Sequence, residues 1–148
     1  FYYPIETWND FIMFNFCMDR GAGHQLEDSL ECSYKPWCDG MEGIFKEEAM
    51  HMAHGDQWTQ KLASDARTRE GIQAALDKWY PRTMNIFGRA DSPKNKIYRK
   101  LGLKKRDNEA VRQAFAKDVA RKCRLFGLQV PAWKPVASRM SEEPFIPG

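Results

Sequence analysis

The chain of 148 residues is long enough for one domain with a hydrophobic core. Its 43% hydrophobic content, with five Trp and nine Phe, excludes a disordered polypeptide, and no apolar run reaches the roughly 18 residues of a membrane-spanning helix. The net charge of +3 is too small to indicate a nucleic-acid partner by itself, and charged residues near the aromatic start argue against a signal peptide.

The cysteines form neither a CxxC pair nor a zinc-binding spacing. They are Cys17, Cys32, Cys38 and Cys123. We expect free, partly buried thiols in a cytoplasmic protein.

A helical period predicts a first long helix over about residues 5–33. Spacings of three and four place one stripe on a single face: Ile5, Trp8, Ile12, Phe16, Asp19, Gly23, Leu26 and Leu30. Asp19 is the charged member of this stripe, and a buried carboxylate is unfavourable unless a partner compensates it.

A second long helix is predicted over about residues 36–63, with Pro36 in its first turn. Its stripe is Trp37, Met41, Ile44, Glu48, His51, Gly55, Trp58 and Leu62. Glu48 and His51 interrupt this otherwise apolar or small face. A metal ion compensates such a pair in helical bundles, and a surface Glu–His pair is the alternative.

The short connection makes the two long helices antiparallel neighbours. At a rise of ~1.5 Å per residue, Asp19 lies ~21 Å before the turn at Ser33, and Glu48 lies ~18 Å after Pro36. The two carboxylates are therefore predicted to lie at the same level.

Shorter helices are predicted over about 67–87 and 108–126, with a polar loop at 89–96 between them. Residues 1–130 are expected to form the helical domain and residues 131–148 an irregular Pro-rich tail. We find no convincing strand, so the predicted class is all-α. The segment 89–124 contains thirteen Lys and Arg against four Asp and Glu, which indicates an anionic partner or a solvated face.

Asp19, Glu48 and His51 offer two carboxylates and one imidazole, a ligand set that suits iron or manganese. Ferritin-like bundles build a two-metal site from one carboxylate on each of two helices and an ExxH on each of the other two. Asp19 would be the lone carboxylate, Glu48 the bridging ligand and His51 the terminal nitrogen ligand. The chain supplies half of such a site.

Several segments resemble the phenylacetic acid catabolic protein family, and its catalytic oxygenase subunits in particular. They include Asp19-Arg20, Glu31-Cys-Ser-Tyr-Lys-Pro, Lys46-Glu-Glu-Ala-Met-His-Met-Ala-His-Gly, Asp77-Lys-Trp-Tyr-Pro-Arg-Thr and Leu125-Phe-Gly-Leu-Gln-Val-Pro. The resemblance extends from about Trp8 to Pro131.

This resemblance implies a fold similar to ferritin and a non-haem di-iron centre that uses O₂ and electrons from a separate NAD(P)H-dependent reductase. It also implies insertion of oxygen into the aromatic ring of an acyl-CoA thioester such as phenylacetyl-CoA, with the help of a structural partner subunit. No nucleic-acid or membrane partner is implied. Gly23 and Gly55 would leave room for O₂ or the ring, unless they serve only helix packing. Lys104, Lys105 and Arg106 would bind CoA phosphates, unless they form a solvated loop or a subunit contact.

The chain departs from the family in one large respect, because no upstream ExxH with its preceding carboxylate is present. His24 and His54 are predicted to be supporting or surface groups. We therefore expect the C-terminal half of a catalytic subunit, inactive alone. The alternatives are a ferritin-like ferroxidase and a non-catalytic structural subunit.

Overall fold

The computed structural model describes residues 3–134 and shows an all-α bundle without strands in that range, which confirms the predicted fold class. The elements are α1 Trp8–Met13, a π-helix Phe14–Asp19, α2 Arg20–Glu27, α3 Lys35–Ser64, α4 Arg69–Met84 with a 3-10 turn Asn85–Phe87, α5 Pro93–Lys100 and α6 Asn108–Phe126. No helix among these residues has the length and apolar character needed to cross a membrane. Most of the predicted irregular tail, from residue 135 onwards, lies outside the described residues.

The first predicted helix is a continuous rod of three segments, and it is shorter than its periodicity suggested. Thr7 and Asp10 form a capping box, in which the backbone N–H of Asp10 donates to Thr7 Oγ1 at 3.0 Å, so the rod begins at Trp8. Its middle segment is a π-helix, in which the backbone hydrogen bonds span five residues and not four. Arg20 Nε donates to the carbonyl oxygen of Phe16 at 3.0 Å within this wider turn.

The rod and α3 run antiparallel, as predicted from their short connection. Trp58 meets Trp8, and Gly55 meets the backbone of Phe16. Glu48 lies level with Asp19, as predicted, although the rod ends at Glu27 and not near Ser33.

The core lies between the rod, α4 and α6, where Phe16, Trp79 and Phe115 are fully buried. Three members of the stripe predicted for the inward face of α3 are instead exposed: Trp37 by 50%, Ile44 by 41%, and His51. The reason is that α4 and α6 pack on the other side of the pair formed by the rod and α3. No helix among residues 3–134 covers this face of α3.

The segment predicted as a polar loop at 89–96 contains the start of α5. Pro93 occupies the first turn of α5, and Ser92 Oγ accepts from the backbone N–H of Asn95 at 3.3 Å. The buried Asn95 side chain donates to Asn108 Oδ1 at 2.9 Å, which joins α5 to the start of α6. The polar composition of this segment predicted a loop, but the structure has a capped helix there.

Candidate metal centre

Two carboxylates and one imidazole meet where the π-helix packs against α3. Asp19 is the last residue of the π-helix, and Glu48 and His51 lie about one turn apart within α3. One ligand atom of each side chain lies within 4.8 Å of the others, and His51 Nδ1 is 3.8 Å from both Asp19 Oδ2 and Glu48 Oε2. The structure thus brings the three predicted ligands together, while metal binding stays a prediction.

The surroundings of Glu48 fit a bound cation. Glu48 Oε2 is buried and has no hydrogen-bond partner among the described residues. The 3.8 Å separation from His51 is too long for a hydrogen bond. A divalent ion that binds oxygen and nitrogen at about 2.1 Å can join atoms up to about 4.2 Å apart, so both 3.8 Å separations are compatible with one ion.

The electrostatics of the two carboxylates agree with this fit. Burial raises the pKa of Asp19, against the opposing effect of a hydrogen bond from Asn15. Burial also raises the pKa of Glu48, and the nearby charge of Asp19 raises it further. A cation between the two would oppose both causes, because it stabilises the ionised carboxylates.

A row of hydrogen-bonded polar side chains leads from Asp19 to α3, and it was not predicted from the sequence. Asn15 Nδ2 donates to Asp19 Oδ2 at 2.7 Å, and Asn15 Oδ1 lies 3.0 Å from His54 Nδ1. Asn15 therefore orients the Asp19 carboxylate towards α3. Its position four residues before Asp19, on the same helix face, was the available signal. The role of His54 as a supporting or surface group stays a prediction.

Arg20, the residue after Asp19, also anchors this turn, and its role was not predicted from the sequence. Its guanidinium forms ion pairs with Asp56 of α3 and, at 2.6 Å, with Asp118 of α6. His24 Nε2 lies 3.5 Å from Asp118 Oδ2. Hydrogen bonds from His24, and then the charge and hydrogen bonds of Arg20, hold the pKa of Asp118 below its usual range despite burial. This network joins three helices beside the candidate ligands.

The two glycines predicted to leave space lie at helix contacts. A Cβ atom on Gly55 would lie 2.6 Å from the backbone nitrogen of Phe16. A Cβ atom on Gly23 would lie 3.3 Å from the flexible end of Met52. Packing accounts for Gly55, and a role for either glycine in admitting O₂ or an aromatic ring stays a prediction.

The basic residues proposed for CoA have acidic partners just after the end of α2 and an amide partner at the start of α6. Lys105 pairs with Glu31, and Arg106 Nε donates to the buried Asp28 at 2.6 Å. Lys104 Nζ donates to Asn108 Oδ1 at 3.3 Å. These contacts support a structural role, and phosphate binding by the three cations stays a prediction.

The candidate centre opens towards solvent on the His51 side. The side chain of His51 is 52% exposed, against 12% for Asp19 and 19% for Glu48. One turn further along α3, His54 lies beside the exposed ring of Phe11, with centroids 6.1 Å apart, and Trp8 is also exposed.

The sequence matches the family described as phenylacetic acid catabolic protein over residues 1–143, which confirms the predicted resemblance. The A-type subunit of the 1,2-phenylacetyl-CoA epoxidase of Escherichia coli (strain K12) is 27% identical to the chain over 135 residues. The match covers 88% of this chain and 43% of that relative. The chain therefore spans less than half the length of the curated relative that it matches.

Proposed function

The chain belongs to the phenylacetic acid catabolic protein family, and on this premise we propose that it is part of the catalytic subunit of a di-iron oxygenase. The reaction would insert one oxygen atom of O₂ into the aromatic ring of an acyl-CoA thioester such as phenylacetyl-CoA, giving an epoxide. An NAD(P)H-dependent reductase and a structural partner subunit would complete this cytoplasmic system.

The observation that carries the proposal is the convergence of Asp19, Glu48 and His51 around an unsatisfied buried carboxylate oxygen. Oxygen-rich ligands with one imidazole favour iron over structural zinc. A non-catalytic subunit would have no need to keep an unpaired buried Glu48, because such a group is unfavourable in the fold.

The residues of this chain would have different roles at the centre. Iron bound there would supply the activation of O₂, with electrons from the reductase. Asp19 and Glu48 would hold it with negative charge in a largely buried setting, and His51 would bind from the exposed side. Asn15 would keep Asp19 in its orientation, as partners of metal ligands commonly do.

The remaining ligands would come from a second pair of helices packed on the exposed aromatic side. Trp8 and Phe11, exposed by 50% and 39%, lie on the rod that carries Asp19. Covering these rings would also exclude water from the centre, which strengthens electrostatic interactions within it.

The test is replacement of Glu48 or His51 by Ala in the complete catalytic subunit, assayed with its partner and reductase. We expect iron binding to weaken by more than about 100-fold, beyond the roughly 10- to 100-fold typical of a residue that only supports a ligand. Metal analysis and the yield of ring epoxide are the measurements.

The matched control is Glu47→Ala, because Glu47 is the exposed neighbour of Glu48 on the same helix. This variant should retain iron and activity. Full iron content in Glu48→Ala and His51→Ala would contradict the proposal, and oxidation of Fe²⁺ by O₂ without any acyl-CoA product would favour a ferroxidase instead.

A further inference from the structure

Two thiols lie in contact at the connection between α2 and α3. The sulfur atoms of Cys32 and Cys38 are 3.3 Å apart, and Cys38 Sγ also donates to the carbonyl oxygen of Cys32 at 3.1 Å. A disulfide bond is about 2.05 Å long, so the two sulfurs need to approach by only about 1.3 Å. Five residues separate the two cysteines, a spacing without a recognisable motif.

The backbone that carries the pair is anchored, which keeps the two sulfurs together. The N–H of Ser33 donates to Gly102 O at 2.8 Å, and its hydroxyl donates to Leu101 O at 2.6 Å. On the other side of the turn, the N–H of Cys38 donates to Tyr34 O at 3.3 Å as α3 begins. The proximity of the thiols thus follows from the docking of this turn on the 101–106 segment.

The other two cysteines differ from this pair in solvent accessibility. Cys17 and Cys123 are fully buried, and burial raises the pKa of Cys123 to about 11. Cys32 and Cys38 are only partly buried. Burial and the hydrogen bond with Cys32 raise the pKa of Cys38. The accessible pair is therefore a dithiol next to solvent, with two inaccessible thiols as internal controls.

We propose that Cys32 and Cys38 form a reversible redox site that closes to an intramolecular disulfide on reaction with a peroxide. The thiolate of one cysteine attacks hydrogen peroxide, so that an S–O bond forms, the O–O bond breaks and hydroxide leaves as water after taking a proton. The second sulfur attacks the resulting sulfenic acid, forming the S–S bond and releasing a second water. Two thiols are oxidised and one peroxide is reduced to two waters. A dithiol reductant reverses the change.

The disulfide would restrain the first half of α3. Within residues 35–47, Met41 alone is buried, so this half of the helix makes few contacts in the described bundle. A bond from Cys38 to Cys32 ties its first turns to the anchored connection. The inference is independent of the proposed oxygenase activity, since it concerns thiols outside the candidate centre.

The experiment is treatment of the folded full chain with hydrogen peroxide, followed by alkylation, trypsin digestion and mass spectrometry. Cys32 and Cys38 lie in one tryptic peptide, residues 21–46, because trypsin does not cut before Pro36. We expect this peptide to lose two hydrogens and take up no alkyl group, and dithiothreitol to restore both alkylation sites. Cys17 and Cys123 should stay reduced and become alkylated after denaturation.

The matched variants are Cys32→Ser and Cys38→Ser. In each, the remaining thiol has no partner, so sulfenic acid should accumulate and be trapped by dimedone, whereas the unmodified chain should give no adduct. Dimedone adducts on the unmodified chain, or disulfides between chains in place of the internal one, would overturn the redox site. Amide hydrogen exchange in residues 36–47 should slow in the oxidised chain, and unchanged exchange would overturn the proposed restraint.

Discussion

Asp10 shows how one buried acid can join two helices. Its carboxylate accepts from Trp79 Nε1 at 2.7 Å and pairs with Lys78 Nζ at 3.0 Å, both on α4. It also accepts from the backbone N–H of Thr7 at 3.2 Å, which completes the cap of α1. Burial raises the pKa of Asp10, but the hydrogen bonds and the charge of Lys78 outweigh it and hold the pKa at about 2.

The stability of the chain should therefore depend on pH through Asp10. Its folded pKa lies below the ordinary value of 3.8, so the carboxylate stabilises the fold fully above about pH 4 and loses this effect as the pH falls through about 2. Asp10→Asn should lower the free energy of unfolding by ~2 kcal/mol at neutral pH. Urea unfolding at a series of pH values should show the two proteins converging below pH 4, and a difference that stays constant with pH would contradict this account.

At the scale of the element, the two halves of α3 differ. The second half is in close contact with the rod, and the first half makes few contacts. Gly55 lies against the π-helix so closely that a Cβ atom would come within 2.9 Å of the Cα atom of Phe16. Gly40, in the first half, has nothing within 4 Å of the corresponding position. The same substitution should therefore have opposite effects at the two sites.

Gly40→Ala should raise the free energy of unfolding by ~0.5–1 kcal/mol, because alanine favours the helix. Gly55→Ala should lower it by ~1–3 kcal/mol, since backbone atoms cannot yield to the added methyl group. Chemical denaturation of both variants is the measurement. A stabilising Gly55→Ala would mean that the rod and α3 are not in close contact there.

At the scale of the whole molecule, one network of ion pairs joins the rod, α3 and α6 beside the candidate centre. Arg20 links the rod to Asp56 on α3 and Asp118 on α6, and its side chain is only 4% exposed. Lys122 pairs with Asp56 at 2.5 Å and completes the link between α3 and α6. Removing one member of such a network leaves buried charge uncompensated.

Arg20→Met should accordingly lower the free energy of unfolding by ~3–5 kcal/mol. The control is Arg121→Met, because Arg121 pairs with the same Asp118 at 2.8 Å but is 61% exposed. Its loss should change stability by less than ~1 kcal/mol. Thermal and urea unfolding of the two variants would test the difference, and equal effects would show that burial of the Arg20 network is not decisive.

The sequence by itself determined the all-α class, the antiparallel helix pair and the common level of Asp19, Glu48 and His51. These follow from the helical period and the rise per residue, which are local properties of the chain. The tertiary structure alone decided the rest. The contact of Cys32 with Cys38, the Asn15 support of Asp19 and the Arg20 network depend on how distant turns and helices dock. The exposure of Trp37 and Ile44 does too, because periodicity marks an apolar face but does not tell whether another helix covers it.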